Sequence, residues 1–168
     1  MVTDLLWLKN YSGQNTEGLL DLVGEYRSDS IVYWFEQILH QKVDREGEES
    51  LSTAEKVVVA IEALEREVNN GGYDQFFANS SSDYAPFIVE ALDLANCPKT
   101  AALTQRAIDA LRLSELSAQS VWHAVRREDA QRDQTLNAYD QTYYLAEEDL
   151  TGNLLTFIRA NRASIRIP

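Results

Sequence analysis

Residues able to do nucleophilic, acid–base or metal chemistry are few in this sequence and lie far apart. His40 and His123 are the only histidines, and Cys97 is the only cysteine. The histidines fall on separate predicted helices, and Cys97 precedes Pro98 in a predicted turn with no base beside it, so we expect none of the three to be catalytic. The sequence also contains no phosphate-binding glycine loop, nucleophile elbow or zinc motif. We therefore expect no cofactor and no metal.

Carboxylates are the one abundant reactive group, and Glu65 is the most informative of them. It falls on the apolar stripe of a predicted helix, beside Ile61 and Val68. A buried carboxyl could act as a general acid. It could instead accept hydrogen bonds from backbone N–H groups of the turn that follows the helix. We favour the structural role, because no other reactive side chain gathers around Glu65, and we expect that the protein is not an enzyme.

Apolar residues recur at helical spacing in most of the segments that contain these residues. Ile31, Phe35 and Leu39 share one face of a predicted helix. Ser52, followed three residues later by Glu55, is the capping-box pattern that begins the next helix. With only three Pro and seven Gly in 168 residues, and no internal repeat or linker, an architecture of many short strands is excluded. The sequence predicts a single all-α domain over residues 1–168, a bundle of six to eight helices.

A glycine-rich stop and an aromatic cluster form the central motif of the chain. Asn69, Asn70, Gly71 and Gly72 are predicted to end a helix, with a positive φ at Gly71. An amphipathic segment follows, and its spacing of i, i+3 and i+4 predicts an aromatic anchor made of Tyr73, Phe76 and Phe77.

The charge is strongly negative and unevenly distributed along the sequence. The chain holds 27 acids and 15 Lys or Arg, for a formal net charge of -12. Residues 1–98 contain 18 acids and 6 bases, whereas residues 99–168 contain 9 of each. This distribution argues against direct nucleic-acid binding, which needs clustered Lys and Arg. It favours a basic partner protein, although charge alone is also explained by solubility.

Acids that face outward on the predicted helices and connectors are the candidate partner-binding residues. They are Asp29, Glu36, Asp44, Glu46, Glu48, Glu49, Glu55 and Glu62, with Glu90 and Asp93 as a second group.

The segment from Glu65 to Asn79, EREVNNGGYDQFFAN, resembles the signature of a family of small acidic bacterial helical proteins, a domain of unknown function that includes a DNA-mimic protein. The resemblance implies an all-helical fold, a homodimer and a negative surface that imitates the phosphates of duplex DNA. Such a protein would occupy the DNA-binding face of a transcription factor or another DNA-handling protein. The motif itself defines the fold and is not the mimic surface.

Three functions are therefore compared. The first is a DNA mimic, the second is an immunity protein or antitoxin that neutralises a basic nuclease toxin, and the third and least favoured is a carboxylate-based enzyme. The N-terminal segment has an acid where a signal peptide needs bases, and no apolar run is long enough to span a membrane. We expect a cytoplasmic protein that does not bind membranes.

Overall fold

The computed structural model describes residues 4–167, and the protein is all-α, as predicted. Within these residues the chain forms no β-strand, apart from isolated bridges around Tyr26. The α-helices that form there, in chain order, are α1 (Thr16–Asp21), α2 (Ser28–Glu46), α3 (Thr53–Ala78), α4 (Ile88–Leu94), α5 (Pro98–Asp109), α6 (Ala118–Val125), α7 (Ala130–Tyr144) and α8 (Leu150–Ala160). Two short 3₁₀ helices, Glu48–Ser50 and Ser80–Tyr84, complete the described elements.

Residue contacts divide the chain into two compact units. Unit 1 contains residues 1–62 and 149–168, and unit 2 contains residues 63–148. The sequence predicted one domain, and that remains a prediction. No helix among residues 4–167 is long and apolar enough to cross a membrane.

Unit 1 is built around α2, which packs against α1, α8 and the 3₁₀ helix Glu48–Ser50. The predicted apolar face of α2 is confirmed, since Ile31, Phe35 and Leu39 are fully buried. Residues of α8 contribute to the same core, with Leu154 and Ile158 also fully buried.

Unit 2 contains the remainder of α3 and helices α4 to α7. Helix α5 packs against both α4 and α7, and α6 packs against the 3₁₀ helix Ser80–Tyr84. Pro98 occupies the first turn of α5, where its missing N–H costs nothing. Ser117 caps α6 through a reciprocal capping box with Ser120.

The glycine-rich stop bends α3 where the sequence predicted an end. Gly71 has φ -156° and ψ 19°, and Gly72 has φ 78° and ψ -177°, so the helical path is broken before it resumes toward Ala78. The positive φ belongs to Gly72, and the expectation that Gly71 carries it is wrong. The φ of Gly71 is available to any residue, whereas that of Gly72 favours glycine.

Candidate functional site

The largest group of exposed acids among those predicted lies in unit 1, at the end of α2 and in the 3₁₀ helix that follows it. We call residues 44–50 the acidic connector. Gly47, with φ 88°, ends α2 and turns the chain. The exposed carboxylates of the acidic connector are Asp44, Glu46, Glu48 and Glu49. Arg45 lies 3.7 Å from Glu46, and the other three form no ion pair among residues 4–167.

Two of the predicted surface acids are buried, and the expectation that they face outward is wrong. Glu36 is 2% exposed and Glu55 is 0% exposed. His40 Nε2 lies 3.3 Å from Glu36 Oε1. Glu36 follows Phe35 on the side of α2 that faces the core of unit 1, and helical spacing alone placed it too far round the helix. Neither carboxylate can meet a partner protein.

Glu55 is tolerated in a buried position because its carboxylate accepts four hydrogen bonds from three donor groups. Its carboxylate accepts from Lys42 Nζ at 2.8 and 3.0 Å and from the backbone N–H of Arg166 at 2.8 Å. It also accepts from the N–H of Ser52 at 2.8 Å, while the Glu55 N–H donates to Ser52 Oγ at 3.1 Å. The predicted capping box is therefore confirmed, and the carboxylate that completes it points inward.

The two remaining predicted partner-binding acids of unit 1, Asp29 and Glu62, are intermediate in exposure. Asp29 is partly exposed, and its Oδ1 accepts from Arg27 Nε at 3.0 Å. Glu62 is half-buried on α3. Both remain accessible in part, but Asp29 is already neutralised by its arginine.

In unit 2 the predicted acids Glu90 and Asp93 are exposed on α4. A spacing of three residues places them on one face of the helix, roughly 5–6 Å apart at Cβ. Neither forms an ion pair with another residue of 4–167.

The predicted aromatic anchor forms the centre of unit 2. Tyr73, Phe76 and Phe77 are each fully buried. The Tyr73 ring lies 6.1 Å from that of Phe77, and its hydroxyl is 2.9 Å from Thr104 Oγ1 on α5. Burial raises the pKa of the Tyr73 phenol.

The acid that binds the backbone at the bend is Asp140 of α7. Its Oδ1 accepts from the N–H of Tyr73 at 2.8 Å. Burial, and then the nearby Asp74, raises the pKa of Asp140, while the bond from Tyr73 opposes the shift. We expected Glu65 to bind the backbone here, and that detail is wrong, because Glu65 accepts from the Tyr143 hydroxyl at 2.5 Å and from Asn69 Nδ2 at 3.4 Å.

Glu67 ties the two sides of the bend together through side chains. It accepts from Gln75 Nε2 at 2.7 Å and from Asn79 Nδ2 at 2.8 Å. Asn70 of the same motif is exposed. Asp140 and Tyr143 were missed because no local pattern links α7 to a motif about 70 residues earlier.

Comparison with protein families shows where this chain belongs. The family model of the DMP19-like protein matches residues 49–161. The chain is a member of the DMP19-like family. None of the curated proteins and none of the solved structures compared with the chain matches it.

The DMP19-like match contains all of unit 2 but only part of unit 1. Helices α1 and α2 precede it, so Asp29, Asp44, Glu46 and Glu48 lie outside the DMP19-like region. Glu49, Glu62, Glu90 and Asp93 are the accessible predicted acids inside it.

Proposed function

We propose that this DMP19-like protein is a DNA mimic, which occupies the DNA-binding face of a transcription factor or other DNA-handling protein and blocks its binding to DNA. The observation that carries the proposal is the acidic connector, where four exposed carboxylates within six residues are accompanied by one arginine. Duplex DNA carries about one charge per 1.7 Å of axis. Closely spaced exposed carboxylates on a protein can imitate the closely spaced phosphates of DNA.

The outer side of α2 extends this surface and supports a protein partner. Tyr33, Gln37, His40 and Asp44 follow one another at intervals of three or four residues, so they share one side of the helix. Each is exposed or half-exposed. The surface therefore carries an aromatic ring toward the start of α2 and carboxylates at its end.

Tyr33 and Trp7 form an exposed aromatic pair. The Trp7 ring lies 5.7 Å from the Tyr33 ring, and Arg27 lies over Trp7 at 5.6 Å. Leu6 is 73% exposed. Trp, Tyr and Arg are the residue types that contribute most to protein–protein binding. Solubility explains the exposed acids, but it does not explain an exposed aromatic side chain on the same helix.

The test is competition with DNA. The DNA-binding protein recovered by pull-down is mixed with labelled duplex DNA, and this protein is added until the DNA is released. Changing Glu46, Glu48 and Glu49 together to Gln should weaken competition by at least about tenfold, since opposed charges across an interface steer association and fix its register.

The matched control removes the same charge elsewhere. Glu115, Glu128 and Glu147 are exposed in unit 2, and changing all three to Gln should leave competition within about twofold. A second triple, Glu90 and Asp93 changed together with Glu49, measures the contribution of acids inside the DMP19-like region. Equal losses from the connector triple and the control triple would contradict the proposal.

The pull-down also separates the proposal from its alternative. Recovery of a basic nuclease whose activity the protein inhibits would favour an immunity protein or antitoxin. Binding of duplex DNA by the protein itself would contradict both. We further propose that the protein is a cytoplasmic homodimer without enzymatic activity or cofactor, and sedimentation equilibrium tests its oligomeric state.

A further inference from the structure

An open groove of about 650 Å³ on the surface of unit 2 is lined mainly by basic and hydroxyl side chains. We call it the arginine pocket, and its lining residues are Arg112, Leu113, Ser114, Ser120, His123 and Arg127. Two guanidinium groups and an imidazole line it, and the Asp129 carboxylate that pairs with Arg112 lies outside the lining. In a chain with a net charge of -12, such a concentration of basic groups is contrary to the overall composition.

Helix α6 and the turn that follows it supply three of these side chains. Ser120 and His123 lie three residues apart on one side of α6. Arg127 follows two residues after the end of α6, in a turn where its N–H donates to the Ala124 carbonyl at 3.2 Å. The neighbouring base, Arg126, is held elsewhere, because its guanidinium lies 3.8 Å above the ring of Trp122. The Ser120 hydroxyl donates to the Glu115 carbonyl at 2.6 Å, so Ser114 supplies the hydroxyl that remains for a ligand.

Arg112 occupies a backbone conformation that an arginine adopts only at a cost. It lies three residues after the end of α5 with φ 51°, in the left-handed region where Gly or Asn is ordinarily found after a helix. Its guanidinium also pairs with Asp129, the residue that caps α7. An arginine in place of the glycine that the backbone favours indicates a use for its side chain, since backbone strain clusters at binding sites.

We propose that the arginine pocket binds a small phosphate-bearing anion. Guanidinium groups match phosphate oxygens in a bidentate manner, and a hydroxyl and an imidazole add further hydrogen bonds. A small anion fits better than a nucleic acid, because the further phosphates of a polyanion would lie beyond the pocket and be repelled by the net negative charge of the chain. The lining residues of the pocket belong to unit 2 and the acidic connector belongs to unit 1, so this proposal does not depend on DNA mimicry.

Isothermal titration of the full-length protein with inorganic phosphate and with adenosine monophosphate, at low ionic strength, tests the site. We expect saturable binding of at least one of the two, and tighter binding of the nucleotide would identify a phosphate monoester as the ligand. Arg112→Gly should weaken binding at least tenfold while leaving the melting temperature equal to that of the parent or higher, because glycine relieves the positive φ.

Arg127→Gln should also weaken binding, and it removes a guanidinium group without altering a strained backbone. Arg126→Gln is the control, and its affinity for the anion should equal that of the parent. Three outcomes would overturn the proposal. These are no saturable binding at millimolar phosphate and nucleotide, equal binding by the parent and both pocket variants, and binding of a short DNA duplex in preference to both small anions.

Discussion

At the scale of individual residues, Glu55 forms a buried ion pair with Lys42 in unit 1. Its side chain is 1% exposed and its partner Lys42 is 14% exposed, so the ion pair is nearly free of solvent. Removing one member of a buried pair leaves the other charge without compensation. The same carboxylate binds the N–H of Arg166 and thereby fixes the C-terminal segment of unit 1.

Glu55→Gln should lower the free energy of unfolding by about 3 kcal/mol or more, since the Lys42 ammonium would remain buried beside a neutral amide. Urea denaturation followed by circular dichroism measures the change. Glu49→Gln removes the same charge from an exposed position and should change stability by less than about 0.5 kcal/mol. If the two variants unfold at the same urea concentration, the buried pair is not a significant source of stability.

Asp140 should give unit 2 a characteristic dependence on pH. Its pKa is raised in the folded protein, chiefly by burial, so the folded state holds the proton more tightly than the unfolded state. Stability therefore falls as pH rises from the ordinary Asp value through the raised folded pKa. Asp140→Asn keeps an acceptor for the Tyr73 N–H and cannot ionise. Its stability relative to the parent should improve as pH rises through this window, as measured by denaturation at several pH values. A difference that is constant with pH would rule out this role for Asp140.

At the scale of elements, the bend in α3 determines where the aromatic anchor lies. A Cβ placed on Gly72 would collide with the Asp140 carboxylate, and the positive φ of Gly72 disfavours any L side chain. A Cβ on Gly71 would meet mainly the side chain of Gln75, which can move. Substitution is therefore expected to be more damaging at Gly72 than at Gly71, although the sequence shows only two adjacent glycines.

Gly72→Ala should destabilise the protein by roughly 2–3 kcal/mol, through backbone strain and loss of the bond from the Tyr73 N–H to Asp140. Gly71→Ala should cost about 1 kcal/mol or less, because only the Gln75 to Glu67 bond is disturbed. Thermal melts of the two variants give the comparison. A larger loss from Gly71→Ala would show that the bend is arranged differently.

The elements also show how far local sequence patterns reach. The capping box at Ser52, the proline at the start of α5 and the break after Asn70 were all predictable, because each depends on residues within one helical turn. The partners Lys42, Arg166 and Asp140 were not, because they lie 13, 111 and 67 residues from the groups that they bind. Glu55 was misplaced for the same reason, since its carboxylate is buried where donors distant in sequence satisfy it. Glu36 was misplaced because helical spacing put it on the outer side of α2, whereas it is buried beside His40.

At the scale of the whole molecule, folding redistributes the charge asymmetry of the sequence. Unit 1 holds 13 acids and 8 bases, for a net charge of -5, and unit 2 holds 14 acids and 7 bases, for a net charge of -7. The contrast between residues 1–98 and 99–168 is therefore not a contrast between compact units. The acids of the acidic connector are candidates for partner binding because they are exposed, and their exposure could not be predicted from their position in the sequence.

Binding to a basic partner should be strongly dependent on salt. Raising the salt concentration from 50 to 200 mM shortens the screening length from about 14 Å to about 7 Å and should weaken the complex at least about tenfold. Titrations at several salt concentrations measure the slope. The variant with Gln at positions 46, 48 and 49 should show a shallower slope than the parent, and parallel slopes would place the interface away from the acidic connector.

The division of unit 1 between two distant stretches of chain has a consequence for synthesis on the ribosome. Residues 63–148 are translated after α2 and before α8, and at about 5–20 residues per second these 86 residues take roughly 4 to 17 s. At the end of that interval unit 2 has all of its residues, whereas Ile31, Phe35 and Leu39 have lacked the apolar surface of α8 throughout. The nascent N-terminal helices therefore expose an unfinished core, and a chaperone that shields apolar segments would act on them before the last helix emerges.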